Sequence, residues 1–234
     1  MKGMKKVVRS VISVTMLFVL SFSTVKAEAS LSQKNVSGLQ LVSEDKIVEL
    51  TNALNYQREY TRATAGLSDI PVTKEVLDAC EASITDSNGN KENLTVYATV
   101  KKLGQVQHSK SISNIYTLSV FASTKTDSGS GQKYQTTAYG SVTWIDNFGL
   151  QNKLVSVAGG WMPGNNNQLL NRVVSYGAQT NNPDSSVSVA LSENENSYSY
   201  AATESMQGWV LFCDSNVKVD GADLRLRVIS SIFS

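Results

Sequence analysis

From Leu94 onward the chain alternates apolar and polar side chains with a period of two. Leu94, Val96, Ala98 and Val100 interleave with Thr95, Tyr97, Thr99 and Lys101; Tyr116, Leu118, Val120 and Ala122 interleave with Thr117, Ser119 and Ser123. This is the pattern of strands that turn one face to a core and the other to water. The same reading predicts strands over 134–145, 154–161, 172–179, 186–191, 198–203, 209–214 and 224–232. Turn-forming runs such as Asp127-Ser128-Gly129, Asp146-Asn147-Phe148-Gly149, Asn182-Pro183-Asp184 and Asp220-Gly221 punctuate them. Ser111 to Ile145 reads as one long hairpin.

Before Leu94 the period is helical. Ser43 stands at an N-cap with Glu44 and Asp45 behind it, and Ile47, Leu50 and Leu54 follow at helical spacing, which predicts a helix over 44–55. Thr73 caps a second, shorter helix carrying Val76, Leu77 and Cys80. Between them, Tyr56 to Thr64 fits a helical extension or a strand. The fold class that follows is mainly β: a single-domain antiparallel β-sandwich of about eight strands with one or two short N-terminal helices. Residues 30–92 form the helical lead-in packed on the sheet, and 93–234 form the sandwich.

Residues 1–29 have the layout of an export signal. Lys2, Lys5, Lys6 and Arg9 precede an uncharged apolar run, Val11 to Phe22, and Ala27-Glu28-Ala29 supplies the small-x-small pattern of a cleavage site. The run is shorter than the ~20 residues of a membrane span. A secreted, extracellular protein is the expectation. Removing 1–29 takes away five basic side chains and one acidic one, which leaves 16 against 19 and changes the formal charge from +1 to −3. With no basic surplus to neutralise phosphates, nucleic acid is not an expected partner.

Candidate chemistry is sparse. His108 is the only histidine, and no Gly-x-Ser-x-Gly elbow accompanies the many serines. One histidine and two cysteines are too few for a structural zinc site. Asp214, Asn216, Asp220 and Asp223 cluster around a turn without the spacing of a calcium loop. No catalytic residue, metal or cofactor is implied. Cys80 and Cys213, in an oxidising compartment, are expected to form a disulfide; closing so long a loop contributes about 4 to 5 kcal/mol in the chain-entropy model.

Aromatic residues offer the better lead, because planar rings stack on sugars as readily as they fill cores. Trp161 and Trp144, with Asn165 and Asn166 in the loop after Pro163, form the candidate ligand-binding set. The functional expectation is a secreted, non-catalytic binding protein acting at a cell surface, on a glycan or a protein, or on extracellular polysaccharide. Two alternatives stand behind it. One is a membrane-active, pore-forming protein inserting the 111–145 hairpin, whose strands match the ~9–11 residues of a transmembrane β-strand; the other is a secreted hydrolase.

Overall fold

A computed structural model describes residues 40–109, 111–124, 135–147, 151–164, 167–180 and 185–231. Among the described residues three helices come first: α1 (Glu44–Asn52), α2 (Tyr56–Thr64) and α3 (Lys74–Ala79). The helix expected over 44–55 stops at Asn52 because Asn55 starts a new one, its side-chain oxygen accepting from the Arg58 N–H at 3.0 Å. Tyr56–Thr64 is therefore helical. Tyr56, Glu59, Tyr60 and Ala63 fall at helical spacing on the face that meets the sheet. Tyr56 lies 4.7 Å from the Tyr139 ring, Tyr60 lies 5.6 Å from Phe121, and Glu59 and Ala63 are buried.

Twelve strands follow among the described residues. They are β1 (Glu81–Thr85), β2 (Lys91–Asn93), β3 (Val96–Gln107), β4 (Ile112–Ser123), β5 (Thr136–Ile145), β6 (Asn152–Pro163), β7 (Leu169–Gln179), β8 (Ser185–Ala190), β9 (Ser197–Ala201), β10 (Gln207–Gly208), β11 (Val210–Val219) and β12 (Ala222–Ser231). They build two antiparallel sheets. The first runs β10-β6-β5-β4-β3, with β9 also paired to β6; the second runs β2-β1-β12-β11-β7-β8. The mainly β sandwich with short helices read from periodicity is the observed architecture. The extra strands arise partly at β1 and β2, which flank the turn at Asp86, where Asp86 Oδ1 accepts from the N–H groups of Asn88 and Asn90.

The inner faces of the two sheets make the core. Leu118, Val120, Val142 and Trp144 from the first sheet meet Leu211, Leu224, Leu226 and Val228 from the second, all almost fully buried. Tyr198 lies over Gly159, where a Cβ would overlap its hydroxyl and the Tyr139 carbonyl, so glycine leaves room for the ring. Between β11 and β12, Asp220 and Gly221 both have positive φ, 46° and 89°, as a two-residue hairpin turn requires.

The outer face of the first sheet departs from expectation. Thr99, Thr117, Ser119, Ser141, Thr143 and Ser156 are all buried, because α1 and α2 lie across them. Thr51 of α1 sits 3.1 Å from both Thr143 and Ser156, Thr143 donates to Thr117 at 3.0 Å, and the Tyr56 hydroxyl is 2.9 Å from Ser141. Hydroxyls can be covered in this way because each both donates and accepts. At one end the cover is apolar: Ile47 packs among Val106, Ile115, Ile145 and Val155.

The expected disulfide is absent: Cys80 and Cys213 are free and buried. Register supplies the reason. Cys213 pairs with Val228 on one side of β12, while β1, which begins next to Cys80, pairs with the other side at Glu81 and Arg227. With a whole strand between them the two residues stand about 10 Å apart, beyond the ~7 Å limit of a bridge. Cys80 Sγ instead contacts the backbone N–H and carbonyl of Ile229 at 3.4 and 3.6 Å, and Cys213 Sγ lies 3.4 Å from the Tyr198 hydroxyl. An alkylating reagent should therefore label neither thiol in the native protein and both after denaturation without a reductant. A requirement for reductant would restore the bridge.

Candidate functional site

The two tryptophans expected to face a ligand are core residues in this fold. Trp144 and Trp161 are 1% and 2% exposed, and their rings meet Tyr116 at 5.8 Å and Tyr198 at 5.9 Å. Neither has a face open to a sugar. Asn165 and Asn166 lie outside the described residues. Their neighbour Asn167 is engaged within the protein: its Oδ1 accepts from the Gln135 N–H at 2.9 Å and its Nδ2 donates to Asp220. The third tryptophan behaves differently. Trp209, just before β11, is 41% exposed, with its backbone N–H donating to the Gln179 carbonyl at 3.1 Å.

Trp209 precedes the first residue of β11 in the second sheet, and among the described residues no helix lies across the outer face of that sheet. Along it β11 presents Asp214, Asn216 and Lys218, β12 presents Asp223, Arg225 and Arg227, and β7 and β8 add Ser175, Ser186 and Ser188, with Phe212, Ile229 and Val173 as the apolar residues of the same face. The charges pair among themselves. Asp214 holds Arg225 at 3.2 Å and Arg227 at 3.3 Å, and Lys218 faces Asp223 at 3.7 Å. Such pairing leaves little net field, which suits a neutral, hydroxyl-rich ligand better than a strongly charged one.

Toward the β1–β2 edge the face opens into a hollow of about 320 Å³. Glu81, Ser83, Lys91, Asn93 and Arg225 line its polar side, and Ala82, Leu94 and Val96 its apolar side. Carboxylate, hydroxyl, amide and guanidinium groups converging over an apolar floor can orient a small polar ligand. The hollow was not legible in the sequence, because it depends on β1 and β2, which periodicity did not find.

The groups considered for catalysis do not assemble. Burial pushes the Cys80 thiol up to about 11, the opposite of what a thiolate nucleophile needs. His108 lies in the turn after β3, its backbone N–H donating to the Ser111 carbonyl at 2.8 Å. The acidic residues near the last hairpin point in separate directions: Asp214 to the arginines, Asp223 to Lys218, and Asp220 to the Gln168 N–H at 2.8 Å. Among the described residues no three His, Cys, Asp or Glu side chains are placed to hold a metal.

Buried phenols give the fold a pH signature. Burial raises Tyr56 to about 12, Cys213 to about 12, and Tyr198 well above 10.0. Each group is held neutral in the folded state, so its contribution is complete below its unfolded value, near 9 for the thiols and 10 for the phenols. That contribution is lost as pH rises through the folded values. Denaturation midpoints should be flat up to about pH 9 and fall steeply toward pH 12, by roughly 1.4 kcal/mol per pH unit for each group titrating. A flat profile across that range would contradict the burial of these rings.

Comparison with known proteins adds no relative: no family model, curated protein or solved structure matches the chain. No helix among the described residues is long and apolar enough to cross a membrane. In the hairpin read as a possible membrane insert, β4 and β5 are central strands of the first sheet. One face lies on the second sheet and the other lies beneath α1 and α2. Exposing it would require both layers to part.

Proposed function

We propose that this protein is an exported, non-catalytic binding protein that recognises a neutral polysaccharide or glycan at a cell surface, and that it does so through the outer face of the second sheet. The observation that carries this reading is the asymmetry of the two sheets. The polar face of the first is roofed by α1 and α2, whereas among the described residues no helix covers that of the second, which has a polar hollow at its β1–β2 edge and the exposed Trp209 indole just before β11. Indole and guanidinium groups are the side chains that most often dominate binding energy. The residues 1–29, with their basic, apolar and small-x-small segments, support export.

The test is retention on insoluble cell-wall polysaccharide and on a glycan array, comparing the native chain with Trp209→Ala and Arg225→Ala. Both side chains are substantially exposed, so the variants should keep the native melting temperature. Each should weaken binding by tenfold or more, in line with the ≳1.4 kcal/mol cost of removing a contact residue. Absence of retention for the native chain, or retention unchanged in both variants, would defeat the reading.

A further inference from the structure

The four outermost edges of the two sheets are not treated alike. The β3 edge is covered by its own chain: the Val42 N–H donates to the Gln105 carbonyl at 2.8 Å, the Ile70 N–H to the Val100 carbonyl at 3.2 Å, and Ser68 Oγ accepts from the Val100 N–H at 2.7 Å. The β2 edge is three residues long and carries Lys91 and Glu92, and β9 is short, with Ser199 tied to Asn52 of α1 at 2.5 Å. Covering, brevity and charge are the usual ways of blunting an edge. Among the described residues β8 has neither cover nor charge. It is six residues, Ser185 to Ala190, without a charge or a proline, and among the described residues only β7 pairs with it.

We propose that the free edge of β8 is a self-association site, where a second copy of this chain pairs antiparallel about a two-fold axis at Ser188. The pattern of the strand selects both the partner and the register. Ser186, Ser188 and Ala190 are exposed on the outer face, while Val187 and Val189 point inward and are only partly covered by the core. Antiparallel self-pairing keeps faces matched only when the paired numbers share parity. Centring on Ser188 sets Val187 against the partner's Val189 twice, Ser188 against the partner's Ser188, and Ser186 against the partner's Ala190. The half-covered valines then complete one apolar stripe, and the small outer residues meet without clash or like charge. Two six-stranded sheets become continuous, and their open faces lie side by side. This pairing stands independently of what those faces bind.

The register gives a direct test. Residues opposite each other across an antiparallel pair have Cα atoms about 4.5–5.5 Å apart, within disulfide range, and both native cysteines are buried. Ser188→Cys should oxidise to a covalent dimer under mild conditions, whereas Ser186→Cys, which faces the partner's Ala190, should remain largely monomeric. Light scattering of the native chain over a series up to about 500 μM should show mass rising toward twice the monomer. Ser188→Lys, which sets two ammonium groups opposite each other, should abolish that rise while leaving the circular dichroism spectrum and melting temperature unchanged. A native chain that stays monomeric throughout, a dimer that survives Ser188→Lys, or equal cross-linking through both cysteine variants would overturn the proposal.

Discussion

Trp161→Ala is expected to cost about 3–5 kcal/mol of folding stability, a large share of the roughly 5–15 kcal/mol of a typical domain. The indole is 2% exposed and packs against Tyr198 between the sheets, so truncation leaves a cavity that β6 and β9, held in register, cannot close. Among the described residues its buried Nε1 has no hydrogen-bond partner. Trp161→Phe therefore removes an unsatisfied donor along with some volume, and should cost well under the alanine figure. Trp209→Ala, at an exposed position, should stay within about 0.5 kcal/mol of the native protein. Urea denaturation of the three variants checks this ordering. Comparable losses for Trp161→Ala and Trp209→Ala would show that the assignment of inside and outside is mistaken.

Glu59→Ala is expected to cost about 3 kcal/mol. The carboxylate is 2% exposed beneath α2, where it meets Lys101 Nζ at 2.6 Å and Thr99 Oγ1 at 3.3 Å. Breaking a buried pair by removing one partner costs about 3–5 kcal/mol because the other charge is stranded. Lys101 is 21% exposed and can recover some hydration, which places the cost at the lower end. The double variant Glu59→Leu/Lys101→Met should recover most of the loss, since apolar replacement of a whole buried pair is often neutral. If the single variant matches the native midpoint, α2 is not seated on the sheet as described.

Most of the strand layer was legible because the longer strands turn a mainly apolar face to the core. Leu118, Val120 and Ala122, and Leu224, Leu226 and Val228, announce themselves at a period of two. The helical cover was harder to read. The buried stripe of α2 contains Tyr56, Glu59 and Tyr60, and it rests on serines and threonines, so hydrophobic periodicity carries no mark of that interface. The strand β1 has a single Ala82–Ile84 alternation directly after a one-turn helix, too short to stand out.

The burial of the two candidate tryptophans went unread for a related reason. Trp144 and Trp161 share a face with Val142 and Val157, a parity that points to the core. Trp209 shares its parity with the buried Leu211 and Cys213, yet it is exposed, because the chain bends there as it passes from β10 in the first sheet to β11 in the second. The disulfide expectation failed on topology: β12, which separates the two cysteines, follows both of them in the chain.

The fold has one roofed polar face and one that no described helix covers. Hydroxyl-radical footprinting, free and with cell-wall polysaccharide, tests this asymmetry most directly. In the free protein Trp209 should be labelled while Trp144 and Trp161 are spared, and polysaccharide should protect Trp209 and the β11–β12 face without changing α1 or α2. Labelling of Trp161 in the folded protein, or protection confined to the helices with Trp209 unaffected, would contradict the account.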